Sequence, residues 1–210
     1  MKTKNKILEK LKKKIEAIGI STISEERKKV LEPLVEYLQQ KIDKNEVAQL
    51  NFICTHNSRR SQFAQIWAQA MGQFYNIPVA AFSGGVEVTA FHENAVEAIK
   101  RAGFRVSAEG EGNPVYLVKY AEELAPLKMF SKKYDDNANP QKNFAAVMTC
   151  SHADETCPFI PGAEKRIPIK YEDPKEFDGL PEQDQKYDER SEQIATEMKY
   201  VFYSLSLKTT

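Results

Sequence analysis

Cys54, Arg60 and Ser61 stand in the stretch "NFICTHNSRRSQ" as a cysteine, five intervening residues, an arginine and a serine. That spacing suits the binding of a tetrahedral oxyanion. If Cys54 ends a strand and Ser61 opens a helix, the backbone N–H groups of Thr55, His56, Asn57, Ser58, Arg59 and Arg60 can wrap the anion. The helix N-terminus then adds positive potential. Arg60 would grip two of the anion's oxygens through its planar fork of donors. The same field favours the thiolate, the form in which cysteine is a nucleophile. Ser61 can hydrogen-bond the sulfur, and Asn57 can hold the loop in shape. These residues point to a phosphate-like substrate and a thiolate but leave the reaction open. The competing reading is a cysteine that merely packs at a strand end, which has no use for a loop of His, Asn, Ser and two Arg.

The other two of the three cysteines lie in "VMTCSHADETCP", with Cys157 seven residues after Cys150. Seven residues of helix rise about 10 Å, whereas a disulfide needs Cα atoms within about 7 Å. If the stretch is helical, the pair can bond only by unwinding it, which is the behaviour of a redox relay. A metal site with His56 and His152 would match no short C-x-x-C knuckle and would consume Cys54. No metal and no cofactor is therefore expected, and two unrelated structural cysteines remain a further reading. In "KYEDPKEFDG", Asp173 precedes Pro174 and is held in an extended or turn conformation. There its carboxyl can protonate an oxygen leaving the anion's central atom; Glu172 is the less favoured acid.

Such residues need a scaffold that gathers strand ends. The 210-residue chain is 41% hydrophobic, enough for a core, and its 30 basic and 30 acidic residues cancel. No global field recruits nucleic acid or a membrane, and no run approaches the roughly 20 apolar residues of a membrane span. "MKTKNKILEKLKKK" has no apolar signal-peptide region, so a cytoplasmic protein with reduced thiols is expected.

Leu8, Leu11, Ile15 and Ile18 recur at helical spacing, closed by Gly19. Thr22 and Glu25 resemble a capping box before a second amphipathic stretch, Val30 to Ile42, in which Pro33 predicts a kink or break. Residues 1–46 thus read as a helical extension, most simply a hairpin that packs on the rest of the chain or self-associates. From residue 47 the pattern alternates. "LNFIC", "IPVAAFS", "NFAAVMTC" and "KRIPIKY" read as strands, "SQFAQIWAQAMG" and "HENAVEAIKRAG" as helices closing at Gly72 and Gly103, and residues 184–205 as a last helix. That order predicts an α/β fold, a four-stranded parallel sheet flanked by helices on both faces. Residues 113–142 interrupt it as an inserted hairpin or flap.

"CTHNSRRSQ", "CSHADETCP" and "EDP", in that order and on those strands, resemble the thioredoxin-coupled arsenate reductases, which share the low-molecular-weight tyrosine phosphatase fold. "FSGGVE" after the second strand also resembles that family, and the likeness spans about residues 47–210. It implies that Cys54 attacks arsenic, that Arg60 and the loop amides stabilise charge, and that Asp173 is the acid. It further implies that Cys150 attacks Cys54, releasing arsenite, and that Cys157 attacks Cys150 to leave a disulfide for thioredoxin. The alternative within the fold is a phosphatase hydrolysing phosphomonoesters, phosphotyrosine included, through a cysteinyl-phosphate intermediate. An alternative of another class is a non-catalytic anion-binding or redox-sensing module.

The chain departs from the pattern at His56, where a glycine is usual, and at Arg59, where a second loop cysteine is common and whose extra charge would either tighten anion binding or point to solvent. Gln65 stands where potassium-stimulated members carry an acid. "KEF" after Pro174 replaces the paired tyrosines of tyrosine phosphatases.

Overall fold

The computed structural model describes residues 6–157 and 159–207. The first five residues of the expected N-terminal extension, Pro158 and the last three residues of the chain lie outside them. In chain order the elements are α1 (Glu9–Ala17), α2 (Glu25–Asp43), β1 (Ala48–Cys54), α3 (Arg60–Tyr75), β2 (Val79–Gly85) and α4 (Glu93–Ala102). There follow β3 (Arg105–Glu109), β4 (Val115–Lys119), β5 (Leu127–Met129), β6 (Phe144–Met148), α5 (Ser151–Thr156), β7 (Ala163–Pro168), a 3₁₀ turn (Pro174–Phe177) and α6 (Gln183–Ser206).

Four strands pair in parallel in the order β2-β1-β6-β7. Side chains alternate between the faces of a strand, and both faces are buried here. Leu50, Phe52, Ala145 and Val147 join the large core, with Phe63 and Trp67 of α3 and Met198 and Phe202 of α6. Ile53, Phe144, Ala146 and Met148 face a smaller cluster with Ala153 of α5. The strands read as continuous apolar runs because water reaches neither side. The expected four-stranded parallel sheet, flanked by helices and preceded by N-terminal ones, is the observed architecture.

The apolar faces of α1 and α2 are buried within the chain. Leu11 and Ile15 of α1 and Leu31, Leu34 and Leu38 of α2 are fully covered and share the large core. Lys199 of α6 donates to the carbonyls of Ile15 in α1 and of Ile18 just beyond it, each at 2.7 Å, and so caps that helix. Ser24, rather than Thr22, caps α2, its hydroxyl accepting from Arg27 N–H at 3.2 Å. α2 runs unbroken through Pro33.

Helix α3 passes Gly72 and ends at Asn76, which adopts the left-handed conformation (φ 58°). Gly72 serves close packing instead: a Cβ there would lie 2.2 Å from Val79 Cγ1 of β2. Within residues 113–142, β4 and β5 extend an antiparallel sheet begun by β3. The sequence reading missed β3, whose exposed, polar "RVSAE" carries little strand signal.

Candidate active site

In an open parallel sheet, ligands bind beyond the carboxyl ends of the strands where the strand order reverses. β1 is that point, because β2 lies on one side of it and β6 on the other. Cys54 is the last residue of β1, and α3 starts at Arg60, so residues 55–59 form the strand-to-helix turn. Among the described residues, the backbone N–H groups of His56, Ser58, Arg59 and Arg60 have no hydrogen-bond partner. Four such donors in a turn at a helix start are suited to form a nest for an anion.

The loop is braced from within. Asn57 sits in the left-handed region (φ 48°), which asparagine tolerates better than most residues. Its backbone N–H donates to Cys54 Sγ at 3.1 Å. Its side-chain amide donates to Ser61 Oγ and Ser83 Oγ, each at 2.9 Å, and its Oδ1 accepts from Lys132 N–H at 3.0 Å. Ser61 Oγ lies 3.0 Å from Cys54 Sγ, so the sulfur has two partners suited to a thiolate. Gln62 donates to Asn57 O at 2.9 Å, and Ser131 Oγ to His56 O at 2.8 Å. Ser83 comes from β2, Gln62 from α3, and Ser131 and Lys132 from the segment after β5, and no local motif marks them.

Arg60 is tied to the acid segment. Its Nη2 donates to Asp173 Oδ2 at 2.6 Å and its Nη1 to Tyr171 O at 2.9 Å. Its Nε is buried without a hydrogen-bond partner. Asp173 also caps the 3₁₀ turn, its Oδ1 accepting from Lys175 N–H at 3.1 Å. Glu172 is exposed and makes no such contact, so Asp173 is the acid brought to the loop.

Arg59 does not point to solvent. Its side chain is buried and donates through Nε to Tyr187 Oη at 2.6 Å and through Nη2 to Asp178 at 3.0 Å. The guanidinium therefore serves a structural network, and what it can offer an anion is its backbone N–H. Burial, then the hydrogen bond with Asp178, pushes Tyr187 up to about 12. Burial alone would raise Asp178, but Tyr187, Arg59 and His92 together hold it below the usual carboxylate value. Burial and the nearby Arg59 lower His92. Tyr187, Asp178 and His92 are all far in sequence from the loop, and sequence reasoning missed all three. Beside them a cleft of about 570 Å³ opens between the loop and the inserted sheet, lined by His56, Ser58, His92, Tyr116 and Lys175.

Cys150 caps α5, its Sγ accepting from Ala153 N–H at 3.4 Å, and Cys157 closes the same helix. Thr55 Oγ1 lies 3.5 Å from Cys150 Sγ and 3.4 Å from His152 Nδ1. Thr149, one residue before Cys150, donates through N–H (2.7 Å) and hydroxyl (2.9 Å) to Ile53 O, one residue before Cys54. All three cysteines are free and buried, and they share the small cluster between β6 and α5. Arg166 of β7 donates to the α5 carbonyl of Asp154 and, at 3.2 Å, to that of Cys157. Lys170 pairs with the Asp154 carboxylate at 2.8 Å. Helix α5 is thus clamped from β7 and the segment after it. Among the described residues no helix is long and apolar enough to cross a membrane.

No family model matches the chain. It is 30% identical over 124 residues to an arsenate reductase of Brevibacillus brevis, covering 59% of this chain and 74% of that protein. An arsenate reductase of Halalkalibacterium halodurans is 28% identical over 133 residues, covering 63% of this chain and 78% of the relative. A solved low-molecular-weight phosphotyrosine phosphatase from Vibrio cholerae superposes with a TM-score of 0.53 at 11% identity, over 77% of this chain and 98% of that one. By sequence and fold together, the chain belongs to the arsenate reductase family, built on the low-molecular-weight phosphatase fold.

Proposed function

We propose that the chain reduces arsenate to arsenite, with Cys54 as nucleophile and Cys150 and Cys157 as a disulfide relay. The anion lies in the nest of N–H groups against Arg60. The Cys54 thiolate attacks arsenic, an S–As bond forms, and one oxygen leaves as water after taking a proton from Asp173. The Cys150 thiolate then attacks Cys54 Sγ. An S–S bond forms, the S–As bond breaks, and its electron pair stays on arsenic, which departs as arsenite. Cys157 next attacks Cys150 Sγ and frees the Cys54 thiolate. Two thiols are oxidised for each arsenic(V) reduced to arsenic(III), and an external dithiol, thioredoxin, reopens the Cys150–Cys157 bond.

The observation that supports this reading is the gathering of all three sulfurs in one small buried cluster at the ends of β1 and β6. Cys150 and Cys157 cap opposite ends of α5. Their disulfide therefore requires that helix to unwind, which carries the bond outward to a reductant.

A second reading is phosphomonoester hydrolysis through a cysteinyl-phosphate. It is favoured by the pairing of Arg60 with Asp173 at 2.6 Å, which suits an acid protonating an ester oxygen equally well. The two part in a coupled assay with thioredoxin, thioredoxin reductase and NADPH. The reductase gives arsenate-dependent NADPH oxidation that vanishes in Cys150→Ser and Cys157→Ser. A phosphatase gives none, and its aryl phosphate hydrolysis survives both substitutions.

A further inference from the structure

Helix α2 reaches the anion site through contacts that run by way of Tyr171. Arg27, in the first turn of α2, donates through Nε and Nη2 to the two carboxylate oxygens of Glu197 on α6, each at 2.8 Å. Glu197 is only 3% exposed, so this is a two-pronged ion pair largely out of water. The Tyr171 hydroxyl donates to the same carboxylate at 2.7 Å, and the Arg27 guanidinium lies over the Tyr171 ring, 5.0 Å from its centroid. Arg27 Nη2 also donates to Lys170 O at 3.1 Å.

Tyr171 is thereby held by its ring, its hydroxyl and its backbone N–H, which donates to Thr149 O at 3.1 Å. Its carbonyl is what Arg60 Nη1 donates to at 2.9 Å. Arg60 has two anchors on its Nη atoms: Asp173 and this carbonyl. The first is a reacting group in the proposed mechanism and must be free to change partner. The second is a backbone carbonyl, carried by the residue whose ring and hydroxyl Arg27 and Glu197 hold.

We propose that Arg27 is a positioning residue for Arg60, so that α2 is a working part of the oxyanion site. This rests on the reading of Arg60 as the oxyanion's side-chain ligand. Without Arg27, Glu197 is a buried carboxylate lacking its cation. The Tyr171 ring loses its cover, and the carbonyl that aims Arg60 shifts. Misplacement of such a clamp by about 1 Å is enough to weaken what it binds.

The test uses the full-length chain with inorganic phosphate as probe, its binding read by calorimetry. Arg27→Met is expected to weaken phosphate binding about tenfold. Because that variant leaves a buried charge, Arg27→Met/Glu197→Leu is measured beside it, replacing the ion pair by apolar groups that can pack. The double variant should recover thermal stability and still bind phosphate about tenfold less tightly than the wild type. In an Arg60→Lys background, Arg27→Met should weaken phosphate no further. If the double variant recovers phosphate affinity along with stability, or if Arg27→Met acts equally without Arg60, Arg27 is only a stabilising residue and the proposal is overturned. If Arg60→Lys itself leaves phosphate binding unchanged, the reading on which it rests falls first.

Discussion

The guanidinium of Arg60 and the carboxylate of Asp173 stand 2.6 Å apart, across the mouth of a turn that ends a buried strand at Cys54. In the proposed mechanism an entering oxyanion competes with Asp173 for Arg60, and the carboxyl in turn gives up a proton. Asp173→Asn is therefore expected to tighten phosphate binding severalfold, since a neutral amide competes less for the guanidinium. It should also slow arsenite release about 10²–10⁴-fold, the usual cost of losing a positioned acid. Calorimetry and single-turnover kinetics on one preparation check both. A variant with lower affinity and unchanged rate would remove Asp173 from the role of acid.

Asn57 combines a left-handed backbone with side-chain bonds to Ser61, Ser83 and the Lys132 N–H. Asn57→Ala loses the bonds and strains the backbone, and should destabilise the fold by about 2–4 kcal/mol. Asn57→Gly loses the same bonds but accepts the positive φ, so it should recover about 1 kcal/mol of that loss. Denaturant unfolding of the two variants separates the contributions.

Arg59 links Tyr187 and Asp178, and its removal should cost about 2–3 kcal/mol through lost charged hydrogen bonds. The pH dependence carries a sign. Asp178 is held below its ordinary value of 3.8 in the folded chain. Its contribution is therefore fully present above that value and is lost as pH falls below it. Arg59→Met removes one cause of the lowering, so its acid loss of stability should be shallower than the wild type's. Thermal melts from pH 5 down to pH 2.5 test this.

Much of this arrangement was legible in the chain. The five-residue spacing from Cys54 to Arg60 encodes a local turn, and the apolar runs before Cys54 and Cys150 encode buried parallel strands. The partners that brace the turn were not legible. Tyr187, Asp178 and Lys132 meet residues 57 and 59 only through tertiary packing. From its type alone, the Arg59 side chain could either bind the anion or face solvent, and its burial against Tyr187 shows that it does neither. Gly72 looked like a helix end because glycine often is one, whereas here contact with Val79 demands it. Strand β3 is short and mostly exposed, with only Val106 packed against the core, and left little signal.

Helix α5 is held by Arg166, which donates to the carbonyls of Asp154 and Cys157. If α5 unwinds to join Cys150 to Cys157, this clamp opposes it. Arg166→Met should speed formation of that disulfide about three- to tenfold, which corresponds to some 0.6–1.4 kcal/mol less resistance to unwinding. Quenched-flow alkylation after arsenate addition measures the rate. An unchanged rate would show that the clamp is not part of the barrier.

The relay is tested most directly by one turnover without reductant. Reduced protein is mixed with excess arsenate, free thiols are alkylated, the disulfides are mapped by mass spectrometry and arsenite is counted. The relay predicts about one arsenite per chain (two thiols reduce one arsenic), a Cys150–Cys157 bridge and a free Cys54, with Cys157→Ser trapping Cys54 bonded to Cys150. Three free thiols and no arsenite, from protein that still hydrolyses an aryl phosphate, would contradict it.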